Sequence, residues 1–393
     1  MPTTIATALS RGEPASAVTS LLASTRSQLG DAEPALVMAF ASPKLPLGEL
    51  APRLHAAFPG ALLLTASTAG EFTEAGDAKG SVALFALAGD YRVIAGMATG
   101  LAADVEGAVA KATAELPTAI PGYPHRTAIL LLDPLAGNGE EATLLVSTYL
   151  GGDARLAGGA AGDDLAMKAT LVGLDGRVAG DALVIAVIFS KRPLGVGVCH
   201  GHEPLSGPLR VTRAAGATIH EIEGRPAWSV WKEETRASAG QRGVDPDKLA
   251  DAEVGAFLLR YEAALSSGAE HKIRAPLSRG ADGSVSFACG IPEGSVIRIT
   301  ESVPERQIES ARTAARRARA QLGDAPVAGA LVFDCICRNL ILGDAFGRAV
   351  AAISHELDGA RIAGFETYGE IALDAGDLSG FHNTTSVVLA FPR

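Results

Sequence analysis

Aromatic side chains are scarce in this 393-residue sequence, at 5%, and cysteine occurs only four times. Four cysteines in a chain this long do not build a disulfide framework, so a reducing cytoplasm is the expected compartment. With 48% hydrophobic residues and 45 glycines, the shortage of aromatics implies a core of aliphatic and small side chains. Positive charge is also short: 34 Lys+Arg stand against 44 Asp+Glu, a formal net charge of -10. That excludes non-specific adhesion to nucleic acid or to an anionic membrane, both of which need a basic face. The one basic cluster, Arg312, Arg316, Arg317 and Arg319, reads as a solvated helix face. No apolar run approaches the roughly 20 residues of a membrane span. The longest, "ALVIAVIF" from Ala182, has strand length. No charged start followed by an apolar block opens the sequence, so no secretory signal is expected.

What is present is a repeated order of elements. A short apolar run, an amphipathic helix, a second apolar run, a glycine-acid turn and a closing strand follow one another three times. "ALVMAF", "ALLLTA" and "SVALFAL" mark the first unit, "TAILLLD" and "ALVIAVIF" the second, "GALVFDC", "RIAGF" and "TTSVVLAF" the third. The pattern predicts an α/β fold of mixed sheets with helices, built from repeated strand–helix–strand units in two domains, residues 30–205 and 206–393. Between the outer units, "RVTRA" and "ATIHEIEG" alternate as strand partners, and Pro226 opens a helix carrying Trp228 and Trp231. Arg236 to Leu249 reads as a polar loop.

The turns carry the chemistry. Thr68-Ala69-Gly70-Glu71, Ala160-Ala161-Gly162-Asp163 and Thr367-Tyr368-Gly369-Glu370 occupy one slot in the three units. In open α/β sheets ligands sit beyond the carboxyl ends of strands. There a glycine admits close backbone approach and a carboxylate receives an ammonium or hydroxyl group. The bland alternative is a tight turn with a capping acid. In "DCICR", Cys335 and Cys337 face one side if the strand continues, and Arg338 falls at its carboxyl end. Arg338 beside Glu370 would suit the two ends of an amino acid. "CHGHEP" places His200 and His202 on one strand face, a pattern open to metal or haem ligation. "FHNTT" adds His382 and Asn383 near the third turn. Neither a phosphate loop ending in G-K-[ST] nor a G-x-S-x-G elbow occurs, so a nucleotide fold is not expected.

Taken in order, "STAGEFTEAG", "GGAAGDD", "VTRAAGATIHEIEGRPAW", "CICR" and "GFETYGEIA…FHNTTSVVLAF" resemble the FIST (F-box and intracellular signal transduction) family, from about Leu36 to Phe391. The resemblance implies N-terminal and C-terminal FIST domains and a sensory, non-enzymatic role in a bacterial cytoplasm, with output through a partner in trans. By motif match it carries over Gly162, Asp163, Cys335, Arg338, Tyr368, Gly369, Glu370 and Asn383 as family positions, and the shared turn slots add Thr68, Glu71 and Thr367 to the expected ligand-binding residues. The expected function is a sensor that binds a small polar ligand, such as an amino acid, in a pocket lined by the acidic glycine turns and Arg338, without a cofactor. One alternative, also implied by the resemblance, is a haem-binding nitric-oxide sensor acting on a histidine kinase; a second is a cysteine-dependent enzyme. Ala66 stands where many relatives carry cysteine, which removes any thiol role there.

Overall fold

Strands buried on both faces need no polar alternation. Every residue of Ser81–Ala88 and of Ala182–Ser190 is buried, as their unbroken apolar runs require. The computed structural model describes residues 2–267, 270–374 and 380–393.

The first unit contains β1 (Thr4–Arg11), α1 (Pro14–Leu29), β2 (Pro34–Ala41), α2 (Leu47–Ala57), β3 (Leu62–Ser67), the hairpin β4 (Glu71–Thr73) and β5 (Gly76–Ala78), and β6 (Ser81–Ala88). The second repeats that order: β7 (Tyr91–Thr99), α3 (Val105–Thr113), β8 (His125–Leu132), α4 (Gly139–Leu150), β9 (Arg155–Ala160), β10 (Val172–Leu174), β11 (Arg177–Ala179), β12 (Ala182–Ser190). The third starts with β13 (Gly195–His200) and is interrupted by an inserted antiparallel layer. That layer holds β14 (His202–Pro204), β15 (Leu209–Ala215), β16 (Thr218–Ile222), β17 (Arg225–Pro226), α5 (Ala227–Gly240), α6 (Asp251–Arg260), β18 (Ala263–Ser267), β19 (Glu270–Arg274), β20 (Pro276–Arg279), β21 (Val285–Phe287) and β22 (Val296–Ser302). The third unit then resumes with α7 (Pro304–Ala320), β23 (Val327–Cys335), α8 (Ile336–Leu342), α9 (Phe346–Glu356), β24 (Arg361–Thr367), the hairpin β25 (Glu370–Leu373) and β26 (Phe381–His382), and β27 (Thr385–Pro392).

Each unit forms a six-stranded mixed sheet, and each sheet borrows its last two strands from a neighbour. The orders are β1-β6-β2-β3-β10-β11, β7-β12-β8-β9-β25-β26 and β13-β27-β23-β24-β4-β5. Only the central pairs β2/β3, β8/β9 and β23/β24 are parallel, as a helical crossover demands. The exchange is cyclic: the first unit's hairpin completes the third sheet, the third's completes the second, and the second's completes the first.

The inner faces of all three sheets share one core. Phe40 stacks on Phe365 (4.6 Å) and meets Phe333 edge-on (6.3 Å), joining the first and third sheets. Ile129, Leu131, Val184 and Ile188 of the second sheet belong to the same cluster. Each outer face is covered by its own helices: α1 and α2, α3 and α4, α7 and α9. At about 1.5–3 kcal/mol per fully buried large apolar side chain, this shared core binds the units far more strongly than any single hairpin. Helix approach is close where glycine allows it. A Cβ on Gly195 or Gly197 would strike the backbone of Ala318 or Ala314 in α7.

Two expectations are corrected. Residues Arg236 to Gly240 are helical rather than loop, because Thr235 and Ala239 extend the buried stripe begun by Trp228 and Trp231. The strand through "DCICR" stops at Cys335, where α8 starts, so Cys335 and Cys337 do not share a strand face. The arginines of α7 do form a solvated face, with Arg312 on Glu309, Arg316 on Glu356 and Arg319 on Asp358. Among the described residues no helix is long and apolar enough to cross a membrane.

Candidate functional site

The three turns leave the third strand of each unit and meet. Ala69 N donates to Glu366 O (3.1 Å) and Glu366 N to Gly70 O (2.8 Å). Tyr368 N donates to Ala160 O (3.2 Å) and Ala160 N to Gly369 O (2.8 Å). Gly162 N donates to Ser67 O (2.9 Å) and Asp164 N to Thr68 O (3.1 Å). Each turn thus rests on the strand end of the neighbouring unit, and the three form a closed ring. Glycine is required by this contact. A Cβ on Gly162 would strike the Thr68–Ala69 backbone, one on Gly70 the Glu366 carboxylate, and one on Gly369 the Phe381 ring.

Two turns are wired identically. Thr68 Oγ1 donates to Glu71 Oε1, while Ser81 at the head of β6 donates to Glu71 Oε2 through N (3.1 Å) and Oγ (2.6 Å). Thr367 Oγ1 donates to Glu370 Oε1 (2.5 Å), while Thr385 at the head of β27 donates to Glu370 Oε2 through N (3.0 Å) and Oγ1 (2.9 Å). Both glutamates are buried. Burial pushes each carboxyl up to about 7, against the pull of these hydrogen bonds. The third acid differs. Asp163 accepts from the backbone N–H groups of Met167 (2.9 Å), Lys168 (2.6 Å) and Ala169 (3.0 Å), and from Tyr368 Oη (2.5 Å). Burial raises its pKa, but the Tyr368 hydroxyl and those N–H groups outweigh burial and hold it below the usual carboxylate range. Tyr368, pushed up by burial and then by Asp163, also accepts from Leu165 N (2.7 Å). It ties the second turn to the third.

The ring holds one further acid, Glu366. It is the acid of "GFET" and is buried, and burial pushes its carboxyl up to about 8. Asn339 Nδ2 donates to its Oε1 (2.6 Å), while Oε2 has no hydrogen-bond partner among the described residues. A charge inside an otherwise apolar strand was the available signal.

Arg338 is not beside Glu370 as expected. Its Nε donates to Asp334 Oδ1 (2.8 Å), Nη1 to Ser310 Oγ (2.7 Å) and to Gln307 Oε1, and Nη2 to Gln307 O (2.9 Å). All of these groups are buried. With every nitrogen engaged, the guanidinium pins α8 to α7 and to the end of β23. Cys335 is buried beside Cys337, and burial, then the neighbouring thiol, raises its pKa well above the ordinary value.

The inserted layer packs against the third turn. Asn383 Oδ1 accepts from Ala275 N (3.4 Å), Thr384 Oγ1 donates to Glu262 Oε1 (3.0 Å), and Thr385 holds Glu370. Successive residues of one short segment therefore touch the insert and the turn. Cys289 sits here too, its thiol pushed up to about 11 by burial. His382, pushed down to about 3 by burial, bonds Ala372 O through Nε2 (3.0 Å). His200 and His202 do not lie on one solvated strand face. β13 ends at His200, and His202 starts β14, buried against Thr300 and Glu262. Among the described residues no group of three or more His, Cys, Asp or Glu is placed to hold a metal ion.

Of the eleven expected positions, the turns bring Thr68, Glu71, Gly162, Asp163, Thr367, Tyr368, Gly369 and Glu370 together, with Asn383 at the insert side. Cys335 ends the adjoining β23, and Arg338 is turned into the structure. The family model of the FIST N domain matches residues 35–225, and that of the FIST C domain matches residues 227–373. No curated protein matches the chain. Sheets two and three each take strands from both matched segments, so the two domains are interleaved around one core. The chain belongs to the FIST family and is built from its N-terminal and C-terminal signal-transduction sensory domains.

Proposed function

We propose that this FIST protein is a cytoplasmic sensor of a small polar ligand, such as an amino acid, received where the inserted layer packs on the third turn. The observation that carries this reading is the ring of buried carboxyls held near neutrality. Burial pushes Glu71 and Glu370 to about 7 and Glu366 to about 8. Glu71 and Glu370 then lie near their midpoint at cellular pH and Glu366 above it, so an arriving cation or hydrogen-bond donor changes their protonation and with it the local packing. Because the ring joins all three units by backbone hydrogen bonds, a change at Glu370 bears on the contacts between them. Output passes in trans to a signalling partner, such as a histidine kinase or another signalling protein. The reading is non-enzymatic. Burial raises the Cys335 and Cys289 thiols, whereas a nucleophilic cysteine needs a lowered pKa.

The test is thermal denaturation of the full chain against a panel of small polar molecules: amino acids, amines, carboxylic acids and sugars. A ligand at a hundred times its Kd stabilises the fold by about 2.7 kcal/mol, a shift of several degrees or less in a chain this long. A flat response to the whole panel contradicts the proposal.

A further inference from the structure

Each unit's sheet begins on an edge strand: β1 in the first, β7 in the second and β13 in the third. An edge strand presents a row of unpaired N–H and C=O groups, and folded chains generally cover it. Two of these three edges are covered in the same way. Gln28, at the end of α1, accepts from Thr7 N (2.9 Å) through Oε1 and donates to Thr7 O (2.7 Å) through Nε2. Gln321, at the end of α7, accepts from Val196 N (2.9 Å) and donates to Val196 O (2.9 Å) with the same two atoms. One amide satisfies both backbone groups because it carries an acceptor and a donor side by side.

The second unit departs from this. The helix ends read Ser27-Gln28-Leu29-Gly30, Ala320-Gln321-Leu322-Gly323 and, after α3, Ala114-Glu115-Leu116-Pro117. Glu115 takes the glutamine position and is exposed. An ionised carboxylate accepts but does not donate, so it cannot close an edge in this manner. In β7, Val93, Ala95 and Met97 pack on the shared core, while a Cβ on Gly96 would strike Ala112 O in α3. In β13 the core-facing residue Val196 aims its N–H and C=O away from the sheet, at Gln321. By the alternation of a strand, Val93, Ala95 and Met97 aim theirs at the open side of β7. Among the described residues no hydrogen bond reaches these groups from that side. Exposure follows suit: Val93 to Met97 are all half-buried, whereas Ile5 to Ala8 of β1 are all buried.

The bare edge ends in a cleft of about 370 Å³ between β7 and β11, the last strand of the first sheet. Met97, Thr99 and Val178 line it, together with Lys111 and Arg177. Both cations are exposed, and neither makes an ion pair among the described residues. At the other end of β7, Arg92 is engaged by Asp90 and by the Tyr123 ring. An incoming strand therefore meets free backbone groups along the edge and unbalanced positive charge at one end.

We propose that β7 is a docking edge for an extended segment of a partner protein that carries a carboxylate side chain. The segment adds a strand beside Val93, Ala95 and Met97, and its Asp or Glu meets Lys111 and Arg177 at the cleft. A second copy of this chain fits worse. Two β7 strands paired antiparallel about Ala95 would set Arg92 of one opposite Ala98 of the other, in the cleft that Lys111 and Arg177 line, where like charges repel. Docking here is separate from the ligand reading and gives the chain a surface for a partner in trans.

The experiment selects short random peptides, displayed on phage, against the full chain and measures the selected sequences by fluorescence anisotropy. The expected binders carry Asp or Glu beside a run rich in β-branched residues. Glu115→Gln supplies the amide that closes the other two edges, and Ala95→Pro removes an outward N–H without breaking the ladder to β12. Each weakens binding by about tenfold or more. Lys111→Glu combined with Arg177→Glu does the same, most strongly at low salt. A selection that yields no binder would overturn the proposal, as would peptides bound equally by wild type and Glu115→Gln. Equal binding by the double charge reversal would overturn the acidic class of segment. Sedimentation showing a wild-type dimer that Glu115→Gln dissociates would give the edge to a second copy instead. Hydrogen exchange of the peptide-free chain is the independent check: the amides of Val93, Ala95 and Met97 exchange faster than those of Thr7 and Val196, and Glu115→Gln slows at least one of them. Equal protection of all five in the wild type would show the edge closed and end the proposal.

Discussion

At Glu71 and at Glu370 the chain uses one arrangement twice: a threonine three residues earlier and a hydroxyl at the head of the closing strand clasp a buried carboxyl. At Asp163 the same slot holds an aspartate that accepts three backbone N–H groups of its own loop and the hydroxyl of Tyr368. The first two acids are held near neutrality and the third is held ionised. A glycine-acid dipeptide therefore does not define a role; the donors around it do. Glu71 and Glu370 differ in turn by their cover. Beside the third turn, Asn383 and Thr384 meet the inserted layer, whereas among the described residues no such contact is seen at the first turn.

The largest expected effect separates structural charge from site charge. Arg338→Ala leaves Asp334 buried without its cation, and breaking a buried pair in this way costs about 3–5 kcal/mol. Chemical denaturation should show that loss. A stable Arg338→Ala variant with altered ligand binding would return Arg338 to the site.

Next comes the pH profile. An acid whose folded pKa lies above its unfolded value binds its proton more tightly in the folded state. Its stabilising contribution is fully present below the ordinary value near 4.5 and is lost as pH rises through about 7 to 8. Stability should fall between about pH 5 and pH 9, by on the order of 3–5 kcal/mol per group at most. Glu366→Gln should flatten part of that slope. A profile that rises through this window would contradict the assignment.

The twin wiring gives a smaller, matched effect. Glu71→Gln and Glu370→Gln each turn an amide NH2 toward hydroxyl and backbone donors, or leave those donors unpaired, at about 1–3 kcal/mol. Urea midpoints should move by similar amounts. A large disparity would break the equivalence, whereas equal losses accompanied by altered ligand response in Glu370→Gln alone would sharpen it. Smallest is Tyr368→Phe, which removes one hydroxyl from Asp163 at about 0.5–1.5 kcal/mol. By nuclear magnetic resonance, the Asp163 pKa should rise in that variant.

Much of the fold was legible because apolar runs of strand length, separated by helical periodicity, are the direct signature of buried α/β layers. The turn slots were legible for the same reason, since "STAGEF" and "ETYGEI" follow apolar strands. The hairpin exchange was not. An apolar segment such as Val172–Leu174 or Glu370–Leu373 has the same sequence pattern whichever unit it pairs with. Arg338 was misplaced because an arginine at a strand end looks alike whether it faces ligand or protein. Its spacing from Asp334, four residues on, was the available sign of an internal pair. Glu366 and Glu262 are charges set in or against apolar runs, a readable anomaly.

Native mass spectrometry of freshly purified full-length protein is the most direct test of the sensor reading. The account predicts a non-covalent adduct of small-molecule mass, released by mild activation, with a zwitterionic amino acid as its content. A single ligand-free mass that gains no adduct when small polar molecules are added would contradict it.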